Sequence, residues 1–233
     1  MDLGIRREGA MKIVLVRHGQ TAANRAHALD TARPGLPLTE EGLSQAEALA
    51  QRWEEEVAEP PTAIAVSPLT RTRQTAAPLA RKYGLQPLIR PGIRELRSGD
   101  IEMNANAFSD SVYIEGTGAW AYGLKHYRMG GGENGVEALA RALPVVLEVA
   151  HIVKEEDPRG VGVIVAHGAM LRLLASSLAD NIEGELVMTH YMGNTGTVVL
   201  QWPEDLEVKQ AGQLLGALTA LTWNDRRVED WEY

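Results

Sequence analysis

Cysteine is absent from the 233-residue chain, which excludes disulfide bonds, thiolate catalysis and zinc sites built on cysteine. Aromatic residues are scarce, with a single Phe, so the core must be built mainly from Leu, Val, Ile and Ala. No apolar run is long enough to cross a bilayer, and the charged first ten residues lack the apolar centre of a secretory signal. We therefore expect a cytoplasmic protein with no membrane partner, whose residues 1–10 form a flexible N-terminal extension.

The chain also has no excess of positive charge. Its formal net charge is -8 and its isoelectric point is near 5.3. This balance argues against a nucleic-acid partner, which usually requires a basic face. It also means that an anionic substrate must be attracted by a local basic pocket, because the field of the whole protein repels it. The hydrophobic share of 45% is typical of a globular protein, and we expect residues 11–233 to form a single domain.

Short apolar runs alternate with amphipathic helical patterns along the chain. The predicted strands are 12–16, 63–66, 85–89, 161–166 and 197–201, with an edge strand over 207–210. The predicted helices are 39–57, 67–83 with Gly84 as the C-cap, 136–153 with a kink or restart at Pro144, and 169–179. This alternation predicts an α/β fold, a three-layer αβα sandwich around a mostly parallel central sheet. Residues 96–132 break the pattern and are interpreted as an inserted segment that caps the site.

Two of the apolar strands end at a histidine followed by glycine, namely His18 and His167. Arg17 precedes the first histidine, and Arg71 follows the strand that ends at Val66. Ligands of such sheets bind outside the carboxyl ends of the strands, so these four side chains should meet at one edge. Two arginines and two histidines form a donor-rich pocket that suits phosphate, whose oxygens match the planar guanidinium.

The same set of residues can transfer a phosphoryl group. A neutral His18 could attack phosphorus and form a phosphohistidine, with Arg17, Arg71 and His167 stabilising the equatorial oxygens. The leaving oxygen requires an acid, and Glu95 is the best candidate because a carboxyl in a closed site can be kept protonated. The arginines supply the positive charge, so we expect no metal and no cofactor.

Four stretches of the sequence resemble blocks of the histidine phosphatase superfamily, which includes the phosphoglycerate mutases. They are Arg-His-Gly-Gln-Thr at 17–21, Ser-Pro-Leu-Thr-Arg-Thr-Arg-Gln-Thr-Ala at 67–76, Ala-His-Gly at 166–168 with Arg172 downstream, and Asn-Thr-Gly at 194–196. The blocks occur in the family's order and span the chain from Met11 to about Gln201, which makes the resemblance specific.

The resemblance implies that His18 is the phosphorylated residue and that Arg17, Arg71 and His167 hold the phosphoryl group. Asn24 would be a further phosphate contact, although a plain loop cap is an equal alternative. Glu95 resembles the family's proton donor, but the sequence after it departs from the family pattern, so Glu102 is a competing candidate.

Further departures bear on the reaction that the resemblance implies. The Phe-Thr-Gly-Trp stretch of true mutases is absent, Leu96 stands where they carry an arginine, and no arginine pair lies between Ser98 and Gly132. We therefore expect a phosphoric monoester hydrolase of the histidine acid phosphatase type, acting on a small phosphorylated metabolite. The alternatives are a cofactor-dependent phosphoglycerate mutase and a non-catalytic module that binds phosphorylated ligands. A homodimer is also considered, with residues 198–202 as a pairing edge.

Overall fold

The computed structural model of the protein describes residues 10–232. Apart from Ala10, which is buried, the predicted N-terminal extension lies outside the described residues. The strands are β1 (Lys12–Arg17), β2 (Pro61–Val66), β3 (Leu88–Ile89), β4 (Val161–Ala166), β5 (Thr197–Gln201), β6 (Thr219–Ala220), β7 (Thr222–Trp223) and β8 (Arg226–Arg227). Six of them form one sheet in the order β3-β2-β4-β1-β5-β6, and β7 pairs with β8. β1 to β4 run parallel, whereas β5 and β6 are antiparallel to their neighbours.

Helices connect and cover the strands of the sheet. They are α1 (Ala22–Arg25), α2 (Glu40–Arg52) continued by a π-helical turn (Trp53–Val57), α3 (Thr70–Tyr83), α4 (Ala107–Ala121), α5 (Gly135–Glu156), α6 (Gly168–Leu178) and α7 (Gly184–Thr189). Short 3-10 segments lie at Pro91–Ile93, Gly99–Ile101, Ala211–Leu214 and Val228–Asp230. No helix within residues 10–232 is long and apolar enough to cross a membrane.

The two faces of the sheet are buried against different helices. In β1, Ile13 and Leu15 pack into a core that α5 and α6 share, whereas Val14 and Val16 pack into a second core under α2 and α3. This split follows from the alternation of side chains along a strand, and both faces of β1 are apolar because both are covered. The predicted three-layer α/β sandwich with a mostly parallel central sheet is confirmed.

Several predicted element boundaries were wrong. α3 begins at Thr70 instead of Ser67, because the chain after β2 stays extended through Leu69. β3 has only two residues, since the amide of Leu85 donates to the last turn of α3 instead of to the sheet. α5 runs through Pro144 as one helix, whose inner face is buried along its length.

The outer edge of β5 was also misjudged. The predicted edge strand over 207–210 is not a strand, and β6 pairs with β5 instead through Leu200 and Gln201. Val199 in the middle of β5 exchanges further hydrogen bonds with Leu221 and Thr222. Residues 198–202 therefore do not offer the free edge that strand pairing between two copies would need.

Candidate active site

Three adjacent strands bring the predicted residues to one edge of the sheet. Arg17 at the end of β1 is in register with Ala166 at the end of β4. Val66 at the end of β2 is in register with Val165 of β4. His18, His167 and Ser67 therefore leave neighbouring strands at the same level, as the parallel arrangement predicts.

The loop after β1 is pressed against the first turn of α2. A Cβ atom at Gly19 would lie 2.6 Å from the carbonyl oxygen of Gly42, and one at Gly42 would lie 2.2 Å from that of Gln20. Side chains cannot be accommodated at these distances, so both positions require glycine. The amide of Gly19 also donates to Thr75 Oγ1 at 2.9 Å, which fixes the loop to α3.

The imidazole of His18 is held in one orientation. The ring is buried, and its Nδ1 lies 2.7 Å from the carbonyl oxygen of Gly19. Because a carbonyl oxygen can only accept, Nδ1 carries the proton and the lone pair lies on Nε2. Burial lowers the pKa of His18 well below its ordinary value, and the charges of Arg71 and Arg17 lower the pKa further. His18 is thus a neutral imidazole that is prepared to act as a nucleophile through Nε2.

His167 lies directly beside His18 and is fully buried. The two rings meet edge to face, with their centroids 5.3 Å apart. Nε2 of His167 is 2.7 Å from Ser67 Oγ, which accepts a hydrogen bond from the amide of Leu69. When the hydroxyl of Ser67 donates to Nε2, the imidazole proton is on Nδ1. Burial, followed by the charge of Arg71, lowers the pKa of His167 well below its ordinary value.

The two arginines are anchored through their terminal nitrogens. Nη1 of Arg17 donates to the carbonyl oxygen of Met192 at 2.5 Å. Arg71 donates from Nη1 to the carboxylate of Asp30 at 3.1 Å and from Nη2 to its carbonyl oxygen at 2.7 Å. Burial lowers the pKa of both arginines, although the nearby carboxylates oppose this effect.

Three buried nitrogens around His18 are without a hydrogen-bond partner among the described residues. They are Nε of Arg17, Nε of Arg71 and Nδ1 of His167. Leaving such a group unpaired costs about 1–3 kcal/mol, and more if it is charged. Both arginines act electrostatically on His18 and His167, so the three nitrogens belong to one positive cluster. Two guanidinium groups beside two neutral imidazoles suit an anion with several acceptor oxygens, such as a phosphoryl group.

Glu95 reaches the same cavity from the segment after β3. Its Oε1 accepts hydrogen bonds from the amide of Leu96 at 2.9 Å and from the amide of Met170 at 3.1 Å. Met170 lies in the first turn of α6, where the amides have no partner within the helix. The carboxyl group is therefore fixed beside the cavity, in the neighbourhood of Arg17 and Arg71.

Glu102 occupies a different environment. Its carboxylate accepts hydrogen bonds from the amides of Thr31 and Ala32, at 2.7 and 3.0 Å, and from the hydroxyls of Thr31 and Ser98. Burial raises the pKa of Glu102, but these hydrogen bonds outweigh burial and the net pKa is lowered. Glu102 is thus an ionised carboxylate that fastens two loops together. Of the two candidates for the proton donor, Glu95 lines the cavity and Glu102 is not among the residues that line it.

Asn24 is a loop cap that also lies at the wall of the cavity. Its Oδ1 accepts from the amide of Thr21 at 3.1 Å, which closes a capping box at α1, and the side chain also lines the cavity. Asn194 donates to this Oδ1 at 3.2 Å and to the carbonyl oxygen of His18 at 3.0 Å. The late Asn-Thr-Gly block therefore supports the loop that carries His18.

The cavity in front of His18 has a volume of about 560 Å³. The inserted segment supplies part of its wall, including Tyr113 and Ile114 of α4. Arg172 of α6 also lines it, with its guanidinium 4.3 Å from the ring centroid of Tyr191 and its Nη2 3.2 Å from the hydroxyl of Tyr113. Nη1 of Arg172 is buried and has no hydrogen-bond partner within residues 10–232.

Some residues of the site were not assigned a role from sequence. Arg172 was noted only as part of a block, since a spacing of five residues from His167 does not place two residues on one face of a helix. Asp30 and Ser67 carried no comparable signal, because their contacts with Arg71 and His167 depend on residues distant in the chain.

The comparisons with known proteins agree with this geometry. A model of the histidine phosphatase superfamily (branch 1) matches residues 13–211. PE-PGRS family protein PE_PGRS11 of Mycobacterium tuberculosis is 33% identical over 227 residues, which cover 91% of this chain and 36% of that protein. The chain thus spans about a third of that relative's length.

Two further proteins match this chain over most of their own lengths. Probable phosphoglycerate mutase GpmB of Yersinia pestis is 34% identical over 173 residues, which is 72% of this chain and 74% of GpmB. The solved structure of mycobacterial glucosyl-3-phosphoglycerate phosphatase Rv2419c with VO3 is 28% identical, with a TM-score of 0.68. That similarity covers 81% of this chain and 92% of the phosphatase.

Proposed function

Because this chain belongs to the histidine phosphatase superfamily, we propose that it is a metal-independent phosphoric monoester hydrolase with a phosphohistidine intermediate at His18. The observation that carries the proposal is the set of three unpartnered buried nitrogens, on Arg17, Arg71 and His167, around a neutral imidazole. N–H groups at these positions can stabilise the negative charge that develops on a transferring phosphoryl group.

In the first half of the reaction, Nε2 of His18 attacks phosphorus, and the bond from phosphorus to the ester oxygen breaks. The electron pair of that bond stays on the leaving oxygen, which takes the proton of the Glu95 carboxyl group. The imidazolium character that develops on His18 is stabilised by the hydrogen bond from Nδ1 to the carbonyl oxygen of Gly19.

In the second half, water attacks the phosphohistidine, and the carboxylate of Glu95 accepts a proton from that water. The bond from phosphorus to Nε2 breaks, inorganic phosphate leaves, and the neutral imidazole of His18 is restored. Arg17, Arg71 and His167 hold the same equatorial oxygens in both steps.

Trapping of the phosphoenzyme tests this proposal. We expect an acid-labile phosphate on the wild-type protein after rapid quenching with a labelled monoester, and none on His18→Ala. His151→Ala is the matched control, because His151 is an exposed histidine on α5. Labelling that survives in His18→Ala would reject His18 as the nucleophile. A wild-type protein that is inert across a broad panel of monoesters but binds them would support a non-catalytic binding module.

Water is the proposed acceptor of the phosphoryl group. The resemblance associates two features with mutases, an arginine pair in the inserted segment and a Phe-Thr-Gly-Trp stretch. No arginine pair lies between Ser98 and Gly132, and the Phe-Thr-Gly-Trp stretch is absent from the sequence. The substrate is proposed to be a small phosphorylated metabolite, since the cavity has a volume of only about 560 Å³. GpmB is described as a probable phosphoglycerate mutase, so both reactions need to be measured. Interconversion of phosphoglycerates with negligible phosphate release would overturn the hydrolase assignment.

A further inference from the structure

Arg141 of α5 uses all five of its N–H groups on one short segment and one carboxylate. Its Nη1 donates to the carbonyl oxygens of Gly92 and Arg94 at 2.6 and 2.9 Å, and its Nη2 donates to that of Glu95 at 3.2 Å. The remaining donors, Nε and Nη2, bond both oxygens of Glu133 at 3.0 and 2.5 Å. The guanidinium is therefore fully satisfied, and three of its bonds hold the main chain that leads to Glu95.

Glu133 holds the same segment on the other side of Glu95. Its buried carboxylate accepts a hydrogen bond from the amide of Arg97 at 3.0 Å and from the side chain of Arg94 at 3.3 Å. Burial raises the pKa of Glu133, but Arg141 and the other donors outweigh burial, so the net pKa is lowered. The main chain on both sides of Glu95 is thus hydrogen-bonded to the Arg141–Glu133 ion pair.

No sheet holds the main chain of this segment, although Ile93 and Leu96 anchor its side chains in the core. β3 ends at Ile89, and residues 94–98 have no ladder of sheet hydrogen bonds. A Cβ atom at Gly92 would lie 2.2 Å from the carbonyl oxygen of Arg141, so the main chain lies directly on α5. Carbonyl groups outside a sheet need other donors when they are buried, and Arg141 supplies them.

We propose that Arg141 and Glu133 are positioning residues that fix the segment carrying Glu95, so that its carboxyl group meets the leaving oxygen. A buried ion pair is weak evidence for stability by itself, because desolvation offsets much of the attraction. In this protein, most hydrogen bonds of the Arg141–Glu133 pair are made to residues on either side of Glu95, whose carboxyl group lines the cavity. The inference rests on the proposed function, in which Glu95 is the proton donor.

The test compares two classes of ester by kcat/KM, which reports only the steps up to formation of the phosphoenzyme. An alkyl phosphate needs its leaving oxygen protonated, whereas p-nitrophenyl phosphate has a good leaving group. The variant is Glu133→Gln, which keeps the shape of the side chain and removes its charge. We expect kcat/KM for the alkyl ester to fall about tenfold or more, within the roughly 10²–10⁴-fold that a general acid supplies, and the aryl ester to change less than about threefold.

The matched control is Arg90→Met. Arg90 also joins the segment after β3 to α5, through two hydrogen bonds of 2.7 Å to Glu148, but it makes no contact with Glu95 or with Glu133 among those found in residues 10–232. We expect Arg90→Met to leave the ratio of the two kcat/KM values within about twofold of the wild type. An equal loss on both esters in Glu133→Gln, or no loss on either, would overturn the positioning role.

Glu95→Gln separates the two proposals. If Glu95→Gln loses the alkyl ester selectively but Glu133→Gln does not, only the positioning role fails. If Glu95→Gln itself shows no selectivity, the proton donor of the proposed function fails, and the inference fails with it. Should Glu133→Gln not fold, the double variant Glu133→Leu with Arg141→Met removes both charges of the Arg141–Glu133 pair together, which costs less than leaving one of them unpaired. The same selective loss of the alkyl ester is expected there.

Discussion

Acidification should destabilise the folded protein through His18 and His167. Both rings are buried, and burial together with the charge of Arg71 lowers the pKa of each well below 6.5. In the unfolded chain both side chains return to a pKa of about 6.5. As the pH falls through that value, the unfolded chain binds two protons that the folded chain does not bind. The free energy of unfolding therefore decreases progressively as the pH falls below about 6.5. The decrease stops only when the pH reaches the pKa values that the two histidines have in the folded protein.

The magnitude follows from this linkage. Between about pH 7.5 and pH 5.5, each histidine changes the free energy of unfolding by at most about 1.4 kcal/mol, and the two together by at most about 2.7 kcal/mol. The buried carboxylates do not mask the effect, because the pKa values of Glu102 and Glu133 are lowered from 4.5 and these groups titrate at lower pH.

Urea unfolding at the two pH values, in a buffer without phosphate, measures the difference. His18→Asn combined with His167→Asn should abolish most of it, whereas His151→Asn, at an exposed position, should retain it. The reasoning is refuted if the wild type is equally stable at both pH values. It is also refuted if the double variant keeps the full wild-type difference.

Three further substitutions test individual residues. Arg71→Ala should lower turnover by roughly 10²–10³-fold, the scale of losing one preorganised donor, and a change below about threefold would remove Arg71 from the phosphoryl site. Glu102→Gln should reduce the free energy of unfolding by about 1–3 kcal/mol through lost hydrogen bonds. It should leave the preference between alkyl and aryl esters unchanged, and a selective loss of alkyl esters would make Glu102 the proton donor. Arg172→Met, in a His18→Ala background, should weaken binding of monoesters with a second anionic group by about 10–100-fold in titration calorimetry. Unchanged affinity would mean that Arg172 does not contact the substrate.

The layered fold was accessible from the sequence because it depends on local patterns. Apolar runs such as 161–166 alternate with helical spacing, and this alternation is enough to predict parallel strands with helices on both faces. The element boundaries were less accessible. Leu85 has an apolar, strand-like context, yet its amide donates to Ala80 at the end of α3, so the strand starts three residues later.

The central residues of the candidate site were also predictable from local sequence. His18 and His167 each follow a buried strand, and parallel strands deliver their carboxyl ends to one edge, so their proximity follows from topology alone. The 5.3 Å separation of the two rings agrees with that expectation.

The hydrogen-bond partners of these residues became visible only in the folded chain. The contact of Asp30 with Arg71 joins residues 41 positions apart, and that of Arg141 with the carbonyl oxygen of Glu95 joins residues 46 positions apart. The sequence left Glu95 and Glu102 as alternatives, because their distinction depends on which donors surround each carboxyl group. Long-range packing supplies those donors, and no local pattern of residues encodes it.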